Sequence, residues 1–210
     1  IAKIVLMISA ILLAAGESKR MGKLKQLMPL GGKSILEHSI DNFLASRVSE
    51  VIVVLGCEAE VVVKKVAARP VKIAMNPAYR EGMSGSIARG LDLVSDGGRA
   101  VMLALADQPF VDSRVIDRMI DEFNTHNKGI VVPVYKGRRG NPIIFAIKYK
   151  GELLRLRGDT GGRAIIDQYL DDILEIETGS EAIFVDIDDM RSYHSEKRKF
   201  ERRQINPGKG

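Results

Sequence analysis

Lys19, Arg20, Lys23 and Lys25 stand in a glycine-bounded loop that directly follows an apolar run, Leu13-Ala14-Ala15-Gly16-Glu17-Ser18-Lys19-Arg20-Met21-Gly22-Lys23-Leu24-Lys25. A strand that empties into such a loop can wrap backbone N–H groups and cationic side chains around a polyphosphate. The spacing is not that of a P-loop, because five residues separate Gly16 from Gly22 and Leu24 follows Lys23. Gly32-Lys33-Ser34 also fails, since Leu27 stands where the first glycine is needed. No G-x-G-x-x-G follows the first apolar run, so a dinucleotide-binding fingerprint is absent.

A second group of chemistry-bearing residues lies further along. Leu105-Ala106-Asp107-Gln108-Pro109 closes an apolar run with a carboxylate in a loop stiffened by proline. A carboxylate so placed suits Mg²⁺, which takes one or two carboxylates together with phosphate oxygens and water; the bland alternative is that Asp107 caps the turn. Gly137-Arg138-Arg139-Gly140-Asn141-Pro142 and Gly158-Asp159-Thr160-Gly161-Gly162-Arg163 frame arginines with glycines. Guanidinium groups in such loops suit bidentate recognition of phosphate or carboxylate, although both segments also read as exposed turns. In Asn76-Pro77 and Gly82-Met83-Ser84-Gly85-Ser86, the glycines permit close backbone approach and Ser84 or Ser86 can cap a following helix.

The elements that must position these residues alternate. Ser9 to Ala15, Val51 to Leu55 and Val101 to Leu105 are short continuous apolar runs, as expected of strands covered on both faces, and Val71 to Met75 is a weaker one. Between them lie helical patterns: Ile35, Leu36, Ile40, Phe43 and Leu44 on one face after Ser34, with Glu37 completing a capping box; Val61 to Ala68; Ser86 to Val94; and a helix capped by Asp112. The alternation predicts a single α/β domain with a mostly parallel sheet and helices on both faces. Ligands on such sheets bind beyond the carboxyl ends of the strands, where the Gly16–Lys25 loop and Asp107 both fall.

Composition narrows the field. The 210-residue chain is 45% hydrophobic and 28% charged, which matches an ordinary globular protein able to bury a core. Cys57 is the single cysteine, so neither an intramolecular disulfide nor a Cys-rich metal site is possible; a reducing, cytoplasmic location is expected. His38, His126 and His194 lie far apart, which argues against zinc. The net charge is +5, but Glu196 to Gly210 carries six Lys/Arg against two Glu, leaving about +1 elsewhere. That tail is expected to be a solvated end. With aromatics at 5% and no Trp, neither a nucleic-acid nor a membrane role is expected. Ile4 to Ala15 is too short to span a bilayer. Residues 9–195 are expected to form the domain, with 1–8 an extension or upstream remnant and Met7 the natural start.

Taken in order, these motifs resemble those of the molybdenum cofactor cytidylyltransferase-like (MobA-like) NTP transferases, over roughly Ser9 to Tyr193. Leu13 to Lys25 is similar to the family's L-A-A/G-G-x-S-x-R-M-G-x-x-K, Leu105 to Pro109 to its metal motif, and Val185-Asp186-Ile187-Asp188 to its D-I-D-T-P-E-D. The chain departs from that last pattern at Asp189, Met190, Arg191 and Ser192. The resemblance implies transfer of CMP from CTP to a phosphate-bearing acceptor, molybdopterin by analogy, with Mg²⁺ on Asp107 and Asp186. It implies that Leu13, Ala14, Ala15, Gly16, Asn76, Gly82 and Ser84 border the nucleotide and that Arg20 and Lys25 serve the phosphates. Arg138, Gly140, Asp159, Gly161 and Arg163 would bind the acceptor. Asp188 is left open between a ligand and a helix cap. Ala15, where a glycine goes with guanylyl transfer, favours CTP over GTP. The same resemblance leaves room for GTP, for a sugar or polyol phosphate acceptor, and for a non-catalytic maturation factor that binds a molybdenum hydroxylase apoenzyme. Similar sequences have also been attached to nicotinamide or flavin oxidoreductases; the missing G-x-G-x-x-G speaks against that reading.

Overall fold

The computed structural model describes residues 7–205. In chain order it contains β1 (Ile8–Ala14), β2 (Pro29–Leu30), β3 (Lys33–Ser34), α1 (Ile35–Leu44), β4 (Glu50–Leu55), α2 (Ala59–Val66), β5 (Lys72–Met75), α3 (Met83–Leu91) and β6 (Ala100–Leu105). There follow α4 (Ser113–Thr125), β7 (Ile130–Tyr135), β8 (Arg138–Arg139), β9 (Ile143–Ala146), α5 (Lys150–Arg155), α6 (Arg163–Ile166), β10 (Ile173–Glu177) and α7 (Met190–Ile205). The proposed upstream remnant, Ile1 to Leu6, lies outside the described residues.

The main sheet runs β10-β7-β9-β6-β1-β4-β5, with β8 on β7. β1 pairs in parallel with both β4 and β6, β4 with β5, and β7 with β10; only β9 and β8 run antiparallel to their neighbours. The expected mostly parallel α/β sheet is therefore present. The chain leaves β1 toward β4 and β5, then crosses back to lay β6 on the other side of β1. That reversal opens a crevice at the carboxyl ends of β1 and β6, where Leu13 pairs with Leu105.

Alternation along β1 feeds two cores. Ile8, Ala10, Leu12 and Ala14 pack with α1, α2 and α4 on one face, and Ile11 packs with α3 and α5 on the other. The cap of α1 forms as the sequence predicts: Ser34 Oγ accepts from Glu37 N–H, and the Glu37 carboxylate accepts from Ser34 N–H at 2.8 Å. Asp112 likewise caps α4 through Val115 N–H at 3.0 Å. Two expectations change. α3 starts at Met83 behind Gly82, so neither Ser84 nor Ser86 caps it. The basic tail is not a solvated end over its first part: α7 runs to Ile205 and seats Tyr193 and Phe200 against a third cluster containing Met21, Leu30 and Ile187. No helix among the described residues is long and apolar enough to cross a membrane.

Candidate active site

β1 ends at Ala14, and the chain turns sharply through Ser18, whose φ of 54° is left-handed, and Gly22 at φ 63°. Met21, 5% exposed, pins this loop to the core under α7. The turn delivers Lys25 back over the end of β6, where its ammonium makes a short ion pair with Asp107 and a second, at 2.9 Å, with Asp188. Arg20 reaches the same Asp188 at 3.3 Å from a more exposed position. Asp188 is thus a charge partner of the loop, not a cap. The capping falls to Asp189, which accepts from Ser192 N–H at 2.7 Å while Ser192 Oγ accepts from Asp189 N–H at 3.1 Å. The departure from the family pattern at 189–192 therefore still starts a helix.

Three carboxylates, Asp107, Asp186 and Asp188, share this corner with two cations. Burial pushes the Lys25 ammonium down, but the charges of Asp107 and Asp188 outweigh it, so its pKa stands above the usual lysine value. Burial raises Asp188, yet hydrogen bonds and attraction from Lys25 and Arg20 leave it below the ordinary carboxylate range. Asp186 is shifted the other way: burial, then the neighbouring charge of Asp107, raises it. One oxygen of Asp107, Oδ1, is buried without any hydrogen-bond partner. A buried carboxylate oxygen left bare beside a second carboxylate short of positive charge fits a hard divalent cation. Asp107 and Asp186 are the residues that could hold it. Among the described residues no group of three or more His, Cys, Asp or Glu could hold a metal ion, so a cation on these two carboxylates would take its remaining ligands from phosphate or water oxygens.

Three adjoining cavities of about 220, 260 and 520 Å³ open from this corner. The smallest lies against Leu13, Ala14, Ala15, Gly16, Gly82, Lys25 and Asp107. The second is walled by apolar side chains and bears Asn141, Gly161, Arg163 and Asp186 as its polar edge. The widest exposes Arg20, Lys25, Arg80 and Asp188. Asp159 borders the first and third. It is brought there by contact between Gly158 and the start of α3: Ser84 N–H donates to the Gly158 carbonyl at 3.1 Å, and Gly82, at φ 116°, leaves no room for a Cβ beside that same carbonyl.

The fold thus gathers most of the residues singled out from the sequence. Four lie elsewhere. Asn76 is buried beneath α3, donating to Ser86 Oγ at 2.9 Å and accepting from Ala78 N–H, which ties β5 to the helix. Ser84 meets Gly158 through its backbone. Arg138 is exposed on β8 with its guanidinium 4.5 Å over the Phe184 ring. Gly140 touches Ile183 where a side chain could not fit, and so shapes the segment that carries Asp186. Gln108 and Gln26 were not singled out. Gln108 Nε2 donates to Asp186 Oδ1 at 2.6 Å and to the Ile183 carbonyl at 3.2 Å, fixing the second carboxylate. Its place next to Asp107 was the available signal. Gln26 follows Lys25 in sequence and is buried beneath the loop.

The family model described as the MobA-like NTP transferase domain matches residues 10–173. Nicotine blue oxidoreductase of Paenarthrobacter nicotinovorans is 28% identical over 191 residues, spanning 85% of this chain and 92% of that protein. The bifunctional protein GlmU of Blochmanniella pennsylvanica is 33% identical over 116 residues, 53% of this chain but only 25% of GlmU. The crystal structure of the protein Rv0371c of Mycobacterium tuberculosis H37Rv, in complex with manganese, superposes with a TM-score of 0.79 at 25% identity, covering 91% of this chain and 98% of that one.

Proposed function

Because the chain belongs to the MobA-like NTP transferase domain family, we propose that it transfers CMP from CTP to a phosphate-bearing acceptor, molybdopterin or a close analogue, and releases pyrophosphate. The observation that carries this reading is the corner at the ends of β1 and β6: Lys25 bridging Asp107 and Asp188, with Asp107 Oδ1 bare and Asp186 alongside.

The chemistry follows from the placement of charge. An acceptor phosphate oxygen attacks the α-phosphorus in line; the new P–O bond forms as the α–β bridge breaks, and pyrophosphate leaves. Positioning and charge neutralisation supply most of the catalysis in such transfers, so no covalent enzyme intermediate is required. Lys25 is held protonated, so it stabilises phosphate charge and does not act as a base. Arg20, exposed at the mouth of the widest cavity, serves the leaving pyrophosphate. Ala14, Ala15 and Gly16 border the base in the smallest cavity, where Asp159 also stands, and the second cavity takes the acceptor with Gly161 and Arg163 at its edge. A divalent cation on Asp107 and Asp186, Mg²⁺ in this proposal, would neutralise the phosphates; that the mycobacterial protein forms a complex with manganese supports a divalent metal.

The similarity to nicotine blue oxidoreductase favours a second reading, an oxidoreductase. Against it, the turn after β1 lacks the glycine pattern that seats a dinucleotide. The two readings part on one experiment: incubation with CTP and molybdopterin, with the products resolved by mass spectrometry, alongside an absorbance spectrum of the purified protein. A CMP adduct of the acceptor supports transfer. A flavin or nicotinamide spectrum without an adduct supports the oxidoreductase. An adduct formed only with a sugar or polyol phosphate keeps the reaction and changes the acceptor, and nucleotide binding without any adduct favours a maturation factor.

A further inference from the structure

Arg80 lies outside the Gly16–Lys25 loop, yet it borders the widest cavity together with Arg20 and Lys25. It belongs to the single-turn helix Tyr79–Glu81 that leads into Gly82. That turn is pressed onto the chain leaving β1 and β4. A Cβ on Gly56 would lie 2.6 Å from Tyr79 Cβ and 2.8 Å from the Ala15 carbonyl oxygen, so no side chain fits between them. The backbone beneath Arg80 is thereby anchored beside the loop.

Two contacts then orient the guanidinium. Glu17 Oε1 accepts from Arg80 Nε at 2.9 Å, and the guanidinium carbon stands 5.4 Å over the centroid of the Tyr79 ring. Glu17 is gripped through its other oxygen, Oε2, by Lys19 at 2.9 Å. Hydrogen bonds from Lys19 and Arg80 hold the Glu17 carboxyl below the usual carboxylate range. One carboxylate thus faces two cations, and the group keeps a net positive charge. The bond to Glu17 uses only Nε. The donors on Nη1 and Nη2 have no hydrogen-bond acceptor among the described residues. An arginine held in this way presents a free fork, whose geometry matches two oxygens of one phosphate. Arg20 differs: it spends a terminal nitrogen, Nη2, on Asp188 at 3.3 Å.

Resting on the nucleotide reading above, we propose that Arg80 binds the terminal phosphates of the nucleoside triphosphate, with Glu17 as its positioning residue. The Nη fork takes two oxygens of the β- or γ-phosphate from the α3 side of the widest cavity, while Arg20 comes from the α7 side. The α-phosphate, which reacts at the Lys25 corner, is not part of this contact.

The test is calorimetric binding of CTP and CMP, with Mg²⁺, to the wild-type protein, Arg80→Met, Glu17→Gln and Glu17→Ala. CMP carries the base, the ribose and the α-phosphate but neither terminal phosphate. The Arg80 side chain is 73% exposed, so solvent screening limits the loss, and CTP affinity should fall about five- to tenfold in Arg80→Met while CMP affinity holds. The two Glu17 variants both remove the charge, but only glutamine keeps an oxygen that accepts from Nε. The CTP/CMP affinity ratio should therefore be about threefold lower in Glu17→Ala than in Glu17→Gln. A residue that merely braces the turn would weaken CTP and CMP alike. Equal losses, an unchanged ratio in Arg80→Met, or the same ratio in both Glu17 variants would overturn the inference while nucleotide binding by the wild-type protein still stands. If the wild-type protein takes only the guanine nucleotide, GTP and GMP are compared and the same ratios decide. Binding of no triphosphate overturns the nucleotide reading and this inference with it.

Discussion

Lys25→Met should expose how the carboxylate corner is balanced. Lys25 and Asp107 are 17% and 15% exposed, and Asp188 is 38% exposed. Breaking a fully buried ion pair by removing one partner costs about 3–5 kcal/mol. Partial solvent screening here reduces that to about 2 kcal/mol, or a fall of roughly 4–8 °C in Tm for a chain of this size. The pH dependence identifies the cause. In the wild-type protein Asp188 has a lowered pKa, so it contributes stability above the ordinary carboxylate range and loses it as pH falls through its folded value. Without Lys25 only the more exposed Arg20 sustains that contribution, and most of it is lost. Asp186, already raised by burial and by Asp107, then sits with Asp107 and Asp188 and no ammonium among them. Carboxylates with raised pKa values destabilise the folded state at neutral pH and relieve it on protonation. The gap between the two proteins should therefore be full near pH 7.5 and shrink by more than about half near pH 3, below the ordinary carboxylate range. Urea unfolding followed by circular dichroism, with chelator present at both pH values, measures it. At the alkaline end the Lys25 contribution, with its raised pKa, is lost only as pH climbs past the ordinary lysine range. A destabilisation that is constant with pH, or larger in acid, would refute the reasoning.

Other substitutions separate the parts of the site. Gln108→Met removes the donor that holds Asp186, so Mn²⁺ affinity measured by titration should drop about 10–100-fold, with little change in Tm. Gly82→Ala places a Cβ against the Gly158 carbonyl at φ 116°, and thermal melting should show a loss of about 2–4 kcal/mol; a neutral result would mean that the 158–163 loop is free to move. Ala15→Gly removes a methyl from the wall of the smallest cavity and should relax selection of CTP over GTP by about tenfold or less, read from kcat/KM with each nucleotide.

Much of this architecture is legible in the residues. β1, β4 and β6 are buried on both faces, and their unbroken apolar runs say so. Ser34 with Glu37, and Asp112, mark helix starts because their side chains satisfy orphan N–H groups locally, without help from the fold. What the sequence conceals depends on distant contacts. α7 reads as a basic tail because only a few apolar residues, among them Tyr193 and Phe200 seven positions apart, fasten it to a surface built by Met21 and Leu30. Asp188 and Asp189 are indistinguishable in sequence; the approach of Lys25 and Arg20 decides which carboxylate balances charge and which caps the helix. Arg138 and Gly140 belong to a glycine-framed motif as convincing as that of Arg163, yet the hairpin turns one onto Phe184 and the other against Ile183. Gln26 and Gln108 act by holding a backbone and a carboxylate, and a lone glutamine carries no pattern that announces such work.

The most direct test of the central claim is pyrophosphate release from CTP, GTP, ATP and UTP, with Mg²⁺ and molybdopterin, by the wild-type protein and by Asp107→Ala. Ala15 leads us to expect release selective for CTP, and the arrangement of Lys25, Asp107, Asp186 and Asp188 predicts that it falls by about 10²–10³ in the variant. Release that is the same in both proteins, or absent with every nucleotide and acceptor offered, would contradict it.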